Sequence, residues 1–150
     1  VIDTLEIRDK GRTAAEQITA MATSTIAGVT FIFTVSAADL GVSAWQVQNT
    51  GNLTVRATLR PETGLWASAP TAIETITVNG QDYVIMAAAG SSSLTVMSTS
   101  VGGNLIVADH VIDDRPTRVY GVTALATTTH NGATWVFAGG ADDGLSLTHI

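Results

Sequence analysis

The feature that most constrains this chain is an internal repeat. Gly28, Gly80 and Gly132 lie 52 residues apart, and Phe31, Tyr83 and Trp135 keep the same interval. A recurring unit of this length buries its apolar face by stacking on its neighbours, so the repeat sets the architecture. The register extends in both directions. Thr19-Ala20-Met21 aligns with Thr71-Ala72-Ile73 and Thr123-Ala124-Leu125, and Asn52-Leu53-Thr54-Val55 aligns with Asn104-Leu105-Ile106-Val107.

Each unit is predicted to hold four short strands, a to d, because Thr, Val, Ile and aromatic residues run in stretches bounded by Gly, Asn, Asp or Ser. In the first unit they fall at 17–26, 29–36, 42–48 and 53–59, and in the second at 72–78, 82–88, 94–100 and 105–111. Asn79-Gly80 and Asn131-Gly132 supply the positive φ angles of two-residue hairpin turns between strands a and b. Thr50-Gly51-Asn52 and Gly102-Gly103-Asn104 do the same for strands c and d.

A four-stranded antiparallel meander at this period points to an all-β β-propeller with one blade per unit. Strand a carries small residues, Ala20, Ala22, Thr23, Ser24, Ala124, Ala126 and Thr127, as crowding at a propeller axis requires. Strand b carries the bulk that fills the space between sheets: Phe31, Phe33, Tyr83, Ile85, Met86, Trp135 and Phe137.

The ends have a definite phase. Val1, Asp3, Leu5 and Ile7 match Leu53, Val55, Ala57 and Leu59, so residues 1–9 are predicted as a lone strand d. Gly144-Leu145-Ser146-Leu147 matches Gly41-Val42-Ser43-Ala44, which makes the last segment a strand c. The expected order is d-abcd-abcd-abc in one three-blade unit, with blade 1 over 14–60, blade 2 over 71–112 and strands a to c of blade 3 over 122–150. Propellers use about four to eight blades. Closure is therefore expected to need partner blades, from a homo-oligomer or from the rest of a parent chain. Val1, Asp3, Leu5, Ile7, Leu145, Leu147 and His149 are the candidates for pairing between chains.

Composition narrows the partners. The chain is 45 % hydrophobic and 13 % charged, too apolar for disorder. Its 7 Lys and Arg against 13 Asp and Glu give a net charge of -6, with no basic run, which argues against a nucleic-acid partner. No apolar stretch reaches the ~18 residues of a membrane span. Cysteine is absent, which removes disulfides and thiolate chemistry. A first residue of Val1 without a basic-then-apolar leader is expected of a processed or excised chain.

The run Gly139-Gly140-Ala141-Asp142-Asp143-Gly144-Leu145-Ser146-Leu147, the hairpin 26–33 and the Gly-Asn-Leu starts of strand d resemble the propeller regions of secreted bacterial hemolysin-type calcium-binding (RTX) proteins. At the level of fold the chain is also similar to lactonase-type propellers. The RTX resemblance implies secretion, a modular parent and a propeller that is not an enzyme. The chain lacks the Gly-Gly-x-Gly-x-Asp nonapeptides of that group, so calcium binding is not carried over.

In a propeller the d-to-a and b-to-c connections share one face. That places Asp39, Trp66, Asp113, Asp114, Arg115, Arg118, Tyr120, Asp142 and Asp143 on one rim, with Glu62 beside them. These form the candidate ligand-binding set. Trp66 stands out, because its repeat equivalents are Ala14 and Arg118 and the blade pattern does not demand an aromatic there. Oxygen ligands on adjacent loops suit calcium, the one metal the rim suggests, but Asp-Asp and Asp-Gly also make ordinary turns, and no cofactor is expected. His110, His130 and His149 fall on different parts of the blades. Ser91-Ser92-Ser93 has no Gly-x-Ser-x-Gly context, so no catalytic residue is assigned.

The expectation is a non-enzymatic structural or binding propeller of a secreted or particle-associated bacterial protein, offering its rim to a protein or a glycan. Two alternatives stand beside it. One is an engineered or minimal repeat fragment that assembles into a complete propeller. The other is a lactonase-like hydrolytic propeller with an axial divalent cation, for which strand a offers only Glu16 and Glu74.

Overall fold

The computed structural model describes residues 13–141 and 145–149, the last five by their backbone alone. Three antiparallel sheets follow one another along the chain. The first holds β1 (Ile18–Ile26), β2 (Val29–Ser36), β3 (Gly41–Val47) and β4 (Leu53–Leu59). The second holds β5 (Pro70–Val78), β6 (Gln81–Ala88), β7 (Ser93–Thr99) and β8 (Leu105–Ile112). The third holds β9 (Ala124–His130), β10 (Ala133–Gly139) and β11 (Leu145–His149). Within each sheet every strand pairs with the next in sequence, so each sheet is a meander.

The repeat is written into the backbone itself. Gln17, Ala69 and Gly121 have φ of 50°, 50° and 56°, and Ala27, Asn79 and Asn131 have 48°, 51° and 51°. Left-handed backbone is unfavourable for a residue with a Cβ, so its recurrence at one phase marks a turn that tertiary packing imposes. Bulges recur too. The β1–β2 register slips between Ile18 and Ala20, and the β5–β6 register slips between Pro70 and Ala72, one repeat later. The slip between Ala44 and Trp45 against β4 returns between Val96 and Met97 against β8. A bulge raises local twist, so equal bulges give successive sheets equal shape.

The sheets stack face to face, with β5 standing between β1 and β9. Phe31 and Phe33 of β2, Ile73 of β5 and Met97 of β7 share one buried cluster between the first two sheets. Ala87, Leu94, Val119, Val122 and Ala138 form a second between the second and third. Burial of these faces at about 25 cal/mol per Å² is the main source of stability. Four threonine hydroxyls also cross between sheets. Thr19 Oγ1 donates to the Pro70 carbonyl at 2.8 Å and Thr71 Oγ1 to the Val122 carbonyl at 2.6 Å. Thr75 Oγ1 donates to the Thr23 carbonyl at 3.0 Å and Thr127 Oγ1 to the Thr75 carbonyl at 3.5 Å.

The result is an all-β, propeller-like fold. Trp45 and Trp135 sit in strands, Trp45 buried with its indole N–H donated to Thr34 Oγ1 at 3.0 Å. The predicted lone strand over 1–9, with Val1, Asp3, Leu5 and Ile7, lies outside the described residues. Leu145, Leu147 and His149 lie on β11, which pairs with β10 of the same chain.

Candidate functional site

The connections β2–β3, β4–β5 and β8–β9 carry those residues expected to form one rim that the structure describes, and it sorts these into separate places. Asp39 belongs to a structural knot. Its carboxylate accepts from the Glu16 N–H at 3.0 Å and from Ser36 Oγ at 3.2 Å, and Arg60 Nη2 lies 3.4 Å away. Arg60 Nη2 also donates to the Thr13 carbonyl at 2.5 Å, and the Ser36 hydroxyl is bonded to the Glu16 carbonyl. This ties the segment before β1 to the β2–β3 turn. One repeat later Ser91 does Asp39's work, since its Oγ accepts from the Ser68 N–H at 3.1 Å.

Asp113, Asp114, Arg115 and Arg118 come together around one shallow surface pocket on the β8–β9 connection. Asp114 closes the turn: its Oδ1 accepts from the Thr117 N–H at 2.8 Å and from Thr117 Oγ1 at 2.7 Å. The hydroxyl contact first, and the N–H second, hold this carboxyl below the ordinary aspartate value. Tyr120 stands exposed further along, its carbonyl accepting from the Ala141 N–H at 2.9 Å. Asp142 and Asp143 lie outside the described residues. Among the described residues no three His, Asp or Glu side chains are grouped so as to hold a metal ion.

Trp66 has a different setting. Leu65 beside it is fully buried in the first cluster, while the Trp66 ring is 78 % exposed. A tight turn over Pro61–Thr63 precedes them, in which the Leu65 N–H bonds the Arg60 carbonyl at 3.1 Å. The indole is thus presented from a segment anchored on both sides, by Leu65 and by Ser68. It borders an open groove of about 360 Å³ together with Pro61, Ala67, Ser91, His110 and Ile112. His110 Nδ1 is 2.9 Å from Thr95 Oγ1, which fixes the ring on β8. Among the described residues no Asp, Glu, Lys or Arg lines this groove. Of its residues, sequence reasoning singled out Trp66 alone. Ser91 and Ser68 were findable, being the repeat equivalents of Asp39 and Glu16, whereas His110 enters only because β8 lies beside the β4–β5 loop.

The first strands of the three sheets, β1, β5 and β9, carry one carboxylate among them, Glu74, half-buried at the centre of β5. Its repeat equivalents are Ala22 and Ala126, so small neighbours flank it at the same phase. Glu16 lies before β1, its N–H committed to Asp39. No described helix is long and apolar enough to cross a membrane.

No protein-family model and no curated protein matches the sequence. A solved structure does: the chain is similar to a thermostable family-43 glycoside hydrolase at a TM-score of 0.59 and 15 % identity, over 81 % of this chain and 41 % of that one. The likeness is one of fold, and this chain spans less than half of that structure. The finding corrects the expectation of a propeller that is not an enzyme, because the fold it shares is that of a hydrolase. Nothing in the comparisons is specific to the RTX group.

Proposed function

We propose that this chain is a three-blade portion of a hydrolytic propeller acting on glycosidic bonds. The observation that carries the reading is the shared fold with a glycoside hydrolase across 81 % of the chain. Glycoside hydrolysis generally uses two carboxyl groups flanking the scissile bond, one as acid and one as base or nucleophile. Glu74 is the carboxylate this chain offers on the first strands of its sheets, and the second would come from another blade of the completed ring. Those blades belong to further copies or to a longer parent.

The Trp66 groove supports a neutral glycan as the substrate class. A sugar ring presents an apolar C–H face and a hydroxyl edge. An exposed indole matches the face, and Ser68, Ser91 and His110 match the edge. An uncharged lining suits an uncharged ligand better than a phosphate or a uronate.

The test is hydrolysis of a panel of aryl glycosides by the assembled protein. Release of the phenol, reduced about 100-fold or more in Glu74→Gln, is the expected result. No release from any glycoside, or release unchanged in Glu74→Gln, overturns the reading.

A further inference from the structure

Glu74 and the groove beside Trp66 belong to different corners of the second sheet. Glu74 of β5 pairs with Ile85, Ile85 with Val96 and Val96 with Asp109, so one row of residues crosses the whole sheet from Glu74 to β8. The order β5-β6-β7-β8 makes three steps of ~4.8 Å, which sets the backbones at the two ends of that row about 14 Å apart. The groove lies beyond the far end, since its His110 and Ile112 follow Asp109 on β8. Trp66 is displaced along the sheet as well: it precedes Pro70, where β5 begins, and Glu74 lies four residues, about 13 Å of strand, further in. No single sugar ring spans from Glu74 to the indole.

The described lining comes entirely from residues 61–112, and the second sheet has a sheet packed on either side. The groove is thus a feature of the middle of the stack and not of either end. Its chemistry favours one kind of occupant. The exposed indole offers a flat apolar face, the Ser68 and Ser91 side chains border it, and the His110 ring, held through Nδ1 by Thr95, keeps Nε2 for a ligand. An apolar peptide would dock by adding a strand to β8, and that edge is blunted. The Asp113 N–H bonds back to the Ser92 carbonyl at 2.8 Å, so the alternate N–H of His110 faces away from β7. There the Asp109 carboxylate accepts it at 2.8 Å, and β8 is bulged against β7 at the same level. A bulge and a committed N–H are devices that keep another strand off an edge.

We infer that the Trp66 groove is a holding site for a neutral polysaccharide, separate from the place where a bond is cut. The indole stacks on the C–H face of one ring of the polymer, and Ser68, Ser91 and His110 bond hydroxyls at its edge. A chain held there reaches Glu74 only through rings several positions away, so the site favours polymers over short oligosaccharides. The separation from cleavage rests on the proposed role of Glu74; the holding of the polymer does not.

The experiment is native electrophoresis of the protein through gels containing hydroxyethyl cellulose, galactomannan or xyloglucan, with polygalacturonate as the charged control. The expected result is retardation by at least one neutral polymer, weakened about tenfold or more in affinity by Trp66→Ala and kept by Glu74→Gln. The same polymer should shield the exposed indole from acrylamide quenching in the unaltered protein, an arm that needs no variant to fold. No retardation by any neutral polymer overturns the inference and leaves the groove to an apolar protein segment. Retardation that Trp66→Ala leaves unchanged, or that comes without shielding of the indole, overturns it too, and loss of retardation in Glu74→Gln overturns the separation of the two sites. The hydrolytic reading fails independently: a protein that binds the polymer through Trp66 and cleaves no glycoside keeps the holding site and loses the enzyme, and one that cleaves without Trp66-dependent binding does the reverse.

Discussion

Thr75 Oγ1 lies 3.0 Å from the carbonyl oxygen of Thr23, and the two threonines occupy the same position of successive repeats. The side chain of one unit is thus satisfied by the backbone of the unit before it, which ties the register between sheets to the register within the sequence. Replacing Thr75 by Val keeps the shape and removes the donor. The expected cost is about 1 kcal/mol, near the net worth of one hydrogen bond, seen as a fall of a few degrees in Tm. Thr127→Val, which breaks the 3.5 Å contact, should cost less.

Gly51 and Gly103 are repeat equivalents with φ of 83° and 75°, yet their surroundings differ. A Cβ on Gly51 meets nothing within 4 Å, whereas on Gly103 it would lie 2.6 Å from the Phe31 ring and 2.8 Å from Arg56 Cβ. Gly51→Ala should cost about 1 kcal/mol of backbone strain. Gly103→Ala adds overpacking of about 1–3 kcal/mol at the contact between sheets. Urea melts of the two variants check the difference; equal midpoints would mean the contact yields freely.

Asp39 is expected to matter more for stability than its equivalent Ser91. Asp39→Ala removes the acceptor for the Glu16 N–H and leaves Arg60 without its counter-charge, at a cost of about 2 kcal/mol. Ser91→Ala removes one neutral acceptor, that of the Ser68 N–H, and should cost about 1 kcal/mol. Denaturant midpoints of the two variants give the comparison.

The Asp114 carboxyl should titrate below the ordinary value of 3.8. Its folded pKa is depressed, so the stabilisation is complete above 3.8 and is lost as pH falls through the lower folded value. Carboxyl NMR titration reads this directly. Thr117→Ala removes the hydroxyl, the larger cause, and should move the Asp114 midpoint back up toward 3.8.

Trp66 should be the main source of solvent-quenchable fluorescence, since Trp45 is buried and Trp135 half-buried. Trp66→Ala should blue-shift the emission and change stability by less than about 0.5 kcal/mol, as for an exposed side chain with few contacts. On the functional reading it should also raise KM for a neutral polysaccharide while leaving hydrolysis of a small aryl glycoside unchanged.

The sequence alone determined the all-β meander and its period, because turn residues, β-branched runs and the 52-residue spacing are local and repeat. The strands over 29–36 and 53–59 were legible to the residue, since Gly28 and Asn52 mark their starts. It did not determine which rim residues meet. Asp39, expected on the rim, also ties Arg60 to the β2–β3 turn, and Trp66 shares a groove with His110 rather than with Asp39, Asp113 or Asp114. Those outcomes depend on how loops from one sheet lie across the outer strand of the next. That is set by sheet stacking between residues tens of positions apart, and no local pattern encodes it.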